Sequence, residues 1–168
     1  MQQLNVKLFS VKELFNKGTN SNQIIKVCDE IYNMVGFLCE DYPKHKSWFY
    51  QKHLPNTLKE DGNRDIIFAK TSKNVICGTV FIKYGNEKKI CTLYVIPEER
   101  GKGVGTALVE KSMKILGTKK PIISFSEYKL PMFKGLIEKY GWQQTQILRD
   151  EYTKGNNEIV FNDYFEKQ

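Results

Sequence analysis

No apolar run in these 168 residues approaches the ~20 needed to cross a bilayer. The first residues, Met1-Gln2-Gln3-Leu4-Asn5, lack a basic segment followed by an apolar one. No secretory signal is read there, and a cytoplasmic location is the default expectation. No Cys-x-x-Cys pair occurs among Cys28, Cys39, Cys77 and Cys91, and His45 and His53 stand at no zinc-ligand spacing from them. No metal site is therefore expected. The cysteines sit in apolar patterns and are expected to be buried reduced thiols, and the two histidines to lie at the surface or at helix ends. There is no internal repeat, no low-complexity segment and no block of five like charges. What is present is ordinary for a single globular domain spanning 1–168: 40% hydrophobic and 27% charged residues. The net charge of +7, from 26 basic and 19 acidic residues, favours an anionic partner. A phosphorylated cofactor, an acidic protein surface or RNA would each satisfy it, and a nucleic acid is not required.

The most informative stretch runs from Lys89 to Gly117. Ile90 to Ile96 is rich in β-branched and aromatic residues, as a strand requires, and Pro97 ends it. Gly101, Gly103 and Gly105 alternate through a loop, and from Val104 the apolar residues Ala107, Leu108, Ile115 and Leu116 recur at helical spacing. Glu110 and Lys114 pair on the opposite face, and Gly117 closes the helix. Glycines between a strand and a helix let the backbone approach a ligand closely. The helix start adds unpaired N–H groups and partial positive charge, which suit a phosphate or pyrophosphate. Arg100 and Lys102 bring formal charge to the same loop.

Around this stretch the pattern predicts a first strand over Leu4–Val11 and a helix capped by Asn20, with Gln23 at the capping-box position. Its apolar face is Ile24, Val27, Cys28, Ile31, Met34, Val35 and Leu38. A second helix opens at Asp41-Tyr42-Pro43 and ends near His53, ahead of Pro55, with Trp48 and Phe49 as its core anchors. A three-strand antiparallel meander follows: Arg64–Thr71, Val75–Tyr84 and the strand before the loop. Gly78 marks a bulge or a close approach. After the central helix, Pro121–Phe125 forms a buried strand parallel to Ile90–Ile96. Pro131 opens another helix ending at Gly141, and a hairpin closes the chain around Lys154-Gly155-Asn156-Asn157. The fold class is α/β (α+β): a mixed, mostly antiparallel sheet with elements in the order β-α-α-β-β-β-α-β-α-β-β.

Three phosphate-loop grammars compete. A Walker A loop needs Gly-Lys-Ser/Thr, but Gly101-Lys102 is followed by Gly103. A dinucleotide fingerprint places a glycine where Thr106 stands, and hairpin-linked strands do not suit it, although Glu127 lies where a ribose-binding acid would. Arg100-Gly101-Lys102-Gly103-Val104-Gly105 resembles the Arg/Gln-x-x-Gly-x-Gly signature of the GNAT acetyltransferases. It follows Leu93-Tyr94-Val95 and Pro97-Glu98, and Lys139-Tyr140-Gly141-Trp142 is similar to the family's Glu-Lys-x-Gly-Phe.

The resemblance implies acetyl-CoA as co-substrate and direct acetyl transfer to a primary amine of a small molecule or protein. It implies a pyrophosphate held by backbone N–H groups of Arg100, Gly101, Lys102, Gly103, Val104, Gly105 and Thr106. It also implies a pantetheine arm lying between Leu93–Val95 and Ile123–Phe125, and a thioester carbonyl polarised by an N–H near Tyr94 or Val95. Where relatives place a tyrosine acid in the last helix this chain has Ile137, and Leu130 replaces a frequent asparagine. The candidate catalytic residues are therefore Tyr128, Glu127, Tyr94 and Glu87. Two other readings go with the resemblance: a CoA-binding module without transfer, and a toxin-like enzyme acetylating aminoacyl-RNA. The acceptor and the oligomeric state, a homodimer included, stay open.

Overall fold

The computed structural model describes residues 3–164. The remaining residues, including Met1 and Gln2 of the signal-peptide reading, lie outside them. One seven-stranded sheet has the order β1-β2-β3-β4-β5-β7-β6. Its strands are β1 Val6–Ser10, β2 Arg64–Thr71, β3 Ile76–Lys83, β4 Lys89–Val95, β5 Ile122–Ser126, β6 Gln144–Thr153 and β7 Asn156–Phe161. Every neighbouring pair is antiparallel except β4 and β5. That mixed sheet, and the parallel β4–β5 pair, are what the order of elements predicts.

Helices cover both faces. On one side α5 (Val104–Leu116) and α6 (Leu130–Tyr140) pack on Ile67, Val80, Ile82, Ile90, Ile123 and Phe161. On the other, α2 (Ser21–Val35) and the helical segments after it enclose Ile66, Phe68 and Phe81. Phe49 and Phe81 are fully buried there, each contributing about 1.5–3 kcal/mol of apolar burial. Strand alternation sends Ile66 and Ile67 to opposite layers, so the central strands read as continuous apolar runs.

Four local expectations are corrected. The first strand stops at Ser10, whose hydroxyl accepts from the Glu13 N–H and caps a short helix, α1 (Val11–Asn16), unpredicted from sequence. The helical region after Asp41 does not end at His53. It runs as α3 (His45–Trp48), a π-turn (Phe49–His53) and α4 (Leu54–Thr57). The wide turn leaves Pro55 in a first helical turn, where its missing N–H costs nothing. His45 and His53 are buried rather than superficial, at 8% and 0% exposure. Cys28 and Cys77 are buried as expected, but Cys39 is exposed and Cys91 only half-buried.

Gly78 does mark a close approach. A Cβ there would stand 3.1 Å from Leu108 Cδ1 and 3.1 Å from the Tyr94 carbonyl oxygen, so its absence lets α5 settle onto β3.

Candidate active site

The parallel pairing of β4 and β5 is short. Lys89 pairs with Ile122 and Ile90 with Ile123, and no further pair follows. At the same level the β3–β4 register slips, so that Phe81 faces Thr92 while Ile82 faces Ile90. The extra residue, Cys91, is a bulge, and a bulge bends its strand. Past it the strands part, and a cleft of about 840 Å³ runs through the gap. On the α5–α6 side it is bordered by Leu93, Phe125 and Phe133, and Phe133 stacks on Phe125 with ring centroids 4.0 Å apart. On the opposite side it is bordered by Tyr42, His45, Trp48, Arg64, Lys89 and Glu158.

The glycine loop lies at the end of β4. Gly101 and Gly103 have φ of +76° and +86°, the left-handed region that a side chain disfavours. Gly103 occupies the N-cap of α5, where no side chain caps the helix. The first amide to reach a carbonyl is that of Ala107, on Gly103 at 3.0 Å. The N–H groups of Val104, Gly105 and Thr106 precede the helical ladder, which leaves three aligned donors at a helix start. Arg100 folds back on the strand: its Nε donates to the Val95 carbonyl at 2.9 Å, and its guanidinium lies 5.5 Å from the Tyr94 ring centre. No carboxylate neutralises it among the described residues. Lys102 pairs with Glu99 at 3.5 Å. Uncapped amides, a glycine-lined approach and a retained guanidinium charge fit a pyrophosphate. The β4–β5 gap fits a thin flexible arm such as pantetheine.

The sequence-predicted catalytic candidates are dispersed. Tyr128 is 62% exposed, and its hydroxyl donates to the Asp41 carboxylate. Partial burial, and then Asp41, push its phenol up to about 12. Asp41 in turn receives Lys129 at 2.7 Å. Glu127 is exposed and accepts from Asn157 Nδ2 at 3.0 Å. Tyr94 packs against Phe37, with ring centres 5.1 Å apart. Of the four, Glu87 alone borders the cleft, paired with Lys83 at 3.4 Å. Ile137 packs on the α5-side core, and the Tyr140 hydroxyl donates to Glu110 at 2.8 Å, clasping α6 to α5.

The cleft is also lined by a buried carboxylate absent from those candidates. Glu158, on β7, is 4% exposed. Its Oε1 accepts from Tyr42 Oη at 2.9 Å and from Ser124 Oγ at 2.8 Å. Burial pushes its carboxyl above the usual range, against the lowering effect of Ser124, Tyr42, Lys129 and Lys89. Tyr42 is raised well above an ordinary phenol, by burial and by Glu158. In the sequence Glu158 directly follows the Lys154-Gly155-Asn156-Asn157 turn of the closing hairpin. The available signal was a glutamate leading straight into the apolar run Ile159-Val160-Phe161. His45 completes the wall. Its Nε2 lies 3.2 Å from Thr92 Oγ1, and its buried Nδ1 has no partner among the described residues. Burial lowers its imidazole to about 4, so it is neutral at pH 7.

A sequence model described as the acetyltransferase (GNAT) family matches residues 29–123, a span containing β4, the glycine loop and α5. The chain belongs to this family. No curated protein sequence matches it. Among solved structures, a GNAT-family protein from Desulfovibrio desulfuricans superposes with a TM-score of 0.61 at 15% identity, over 93% of this chain and 96% of that one. Spermidine N-acetyltransferase from Vibrio cholerae, solved with CoA and spermine, gives 0.54 at 14% identity over 95% of both chains. Nourseothricin acetyltransferase gives 0.54 at 19% identity over 60% of this chain, which spans 65% of the length of that relative. At these identities the likeness is one of fold. In the first two it extends over 93% and 95% of this chain.

Proposed function

We propose that this GNAT protein is an N-acetyltransferase that moves acetyl directly from acetyl-CoA to a primary amine of a small molecule or protein. The observation that carries the reading is the cleft through the parted strands β4 and β5, with the glycine loop at the end of β4 and buried Glu158 beside the gap. Acetyl-CoA, when bound, would supply an activated acyl group whose C–S bond breaks as a C–N bond forms, the CoA thiolate leaving as the thiol with the second proton of the amine. The amides of Val104, Gly105 and Thr106, with Arg100, hold its pyrophosphate. Among the described residues β4 pairs with β5 no further than Ile90–Ile123, and a backbone N–H near Tyr94 or Val95 polarises the thioester carbonyl.

An amine with a pKa near ~10.4 arrives protonated and must lose a proton before it attacks. Glu158 accepts that proton. Its burial raises the basicity of the carboxylate, and Tyr42 and Ser124 hold it in one orientation. Tyr42 stays protonated at neutral pH and steadies the charged carboxylate. Acetyl-CoA titration by calorimetry, joined to a thiol-release assay over a panel of amines, tests the reading. Binding with amine-dependent release supports it, and no binding overturns it.

A second reading, CoA binding without transfer, is favoured by Ile137 and by the engagement of the Tyr140 hydroxyl with Glu110, which leave α6 without a free acid. Intact binding with no release for any amine, aminoacyl-RNA included, selects it. A cytoplasmic location belongs to the same proposal. Among the described residues no helix is long and apolar enough to cross a membrane.

A further inference from the structure

The acceptor side of the cleft carries a row of positive charge. Arg64 faces Lys83 across β2–β3, and Lys83 faces Lys89 across β3–β4. Directly opposed residues present their side chains on one face of a sheet, so three cations stand in line over three adjacent strands, and all three border the cleft. Like charges placed opposite one another destabilise a sheet. Glu87 pairs with Lys83. Arg64 has no carboxylate within pairing distance among the described residues, although it is only 5% exposed.

The carboxylate beside Arg64 in sequence does not serve it. Asp65 is held by Ser10 Oγ at 2.5 Å, the Lys12 N–H at 3.0 Å and the Ile66 N–H at 2.7 Å. Arg64 is held by neutral groups. One terminal N–H donates to His53 Nδ1 at 3.2 Å, and its guanidinium lies 5.8 Å from the Trp48 ring centre. His53 Nε2 donates to the Asp65 carbonyl at 3.0 Å, which fixes the tautomer that leaves Nδ1 as acceptor. A buried guanidinium oriented by an imidazole and an indole keeps its charge and its remaining donors for something that enters the cleft. Burial, joined by Lys83 and Arg64, pushes the Lys89 ammonium below its ordinary range, against Cys91 and Glu87. An arriving anion would reverse that.

We propose that the acceptor of this enzyme is a small amine that also bears an anionic group, a carboxylate or a phosphate, which Arg64 binds with Lys83 and Lys89 beside it. The inference rests on the transferase reading and names its substrate class. Glu158 lines the same cleft and would take the amine, while the row takes the anion. A fixed guanidinium fork matches two oxygens of a carboxylate or phosphate. A polyamine would meet like charge at the same place.

The test uses matched pairs: O-phosphoethanolamine against ethanolamine, and β-alanine against its amide, with spermine as the polycation. Thermal shift of the acetyl-CoA-loaded protein reads binding, and thiol release reads turnover. The anionic member of at least one pair is expected to raise Tm where its neutral twin does not, and to give kcat/KM at least tenfold higher. The preferred pair distinguishes carboxylate from phosphate. Arg64→Gln should erase the discrimination while acetyl-CoA affinity stays within twofold. Lys83→Met, on a half-buried strand end, gives the same readout should Arg64→Gln fail to fold. No Tm shift with any anionic probe overturns the proposal, as does equal or better use of ethanolamine or spermine. Loss of acetyl-CoA binding in the wild type would instead overturn the transferase reading, and the anion-dependent Tm shift, measured without cofactor, would still decide this one.

Discussion

On the proposed function, the cofactor half and the acceptor half of the site recognise in different ways. The cofactor half is made of backbone: left-handed Gly101 and Gly103, three unpaired amides at the start of α5, and strand edges exposed by a two-residue pairing. The acceptor half is made of side chains: Arg64 and Glu158 are buried, Tyr42, Lys83, Lys89 and Ser124 are half-buried, and hydrogen bonds tie Tyr42 and Ser124 to Glu158 and Arg64 to His53. Backbone recognition is indifferent to most substitutions but intolerant of a changed φ. Side-chain recognition fails one functional group at a time. A family can keep the first half while rebuilding the second, so cofactor and acceptor can be separated by mutation.

The largest effect is expected from Glu158→Gln. It removes the proton acceptor and keeps the shape, so kcat should fall about 10²–10⁴-fold. Acetyl-CoA affinity by calorimetry should not change. In the wild type, kcat/KM should rise with pH as Glu158 loses its proton, along a limb lying above the ordinary glutamate range because burial raises this group. A limb at the usual position would point to another base.

The acceptor half also carries the acid sensitivity. His45 and His53 are lowered by burial to about 4 and about 3. Their folded values lie below the unfolded value near ~6.5, so the stability they contribute is complete above ~6.5. It drains as pH falls from there through the folded values, at about 1.4 kcal/mol per pH unit for each histidine. Denaturant titrations between pH 7 and 4 should show this slope, and His53→Gln should shallow it.

In the cofactor half, Gly103→Trp should weaken acetyl-CoA binding about 10–100-fold. Strain at positive φ costs about 1–3 kcal/mol, and each 1.4 kcal/mol is tenfold. Gly78→Val should cost about 1–3 kcal/mol of stability by pushing α5 off β3, read as a lower denaturation midpoint. Lys102→Ala should change affinity least. Its charge is half-exposed and shared with Glu99, and such surface pairs are worth about 0–1 kcal/mol.

The same contrast explains what could be read from sequence. Gly101, Gly103 and Gly105 occur together in the chain, and their spacing announces a loop conformation whatever their neighbours. The parallel β4–β5 pair followed from a strand-helix-strand order. Arg64, Lys83, Lys89 and Glu158 are scattered over 95 positions, and only strand register brings the first three into line. Each looks in sequence like an ordinary surface charge. Tyr128 and Glu127 directly follow β5, and Tyr94 lies in β4. Their side chains turn to Asp41, Asn157 and Phe37. The π-turn over Phe49–His53 was equally hidden, since Pro55 signals a helix end unless a wider turn resets the ladder. That turn buries His53, which orients Arg64.

One calorimetric titration of acetyl-CoA into Gly103→Trp and Glu158→Gln, side by side, tests the division most directly. Glu158→Gln should bind as the wild type does, and Gly103→Trp should bind about 10–100-fold more weakly. Wild-type affinity in Gly103→Trp would contradict the assignment of the glycine loop to the cofactor.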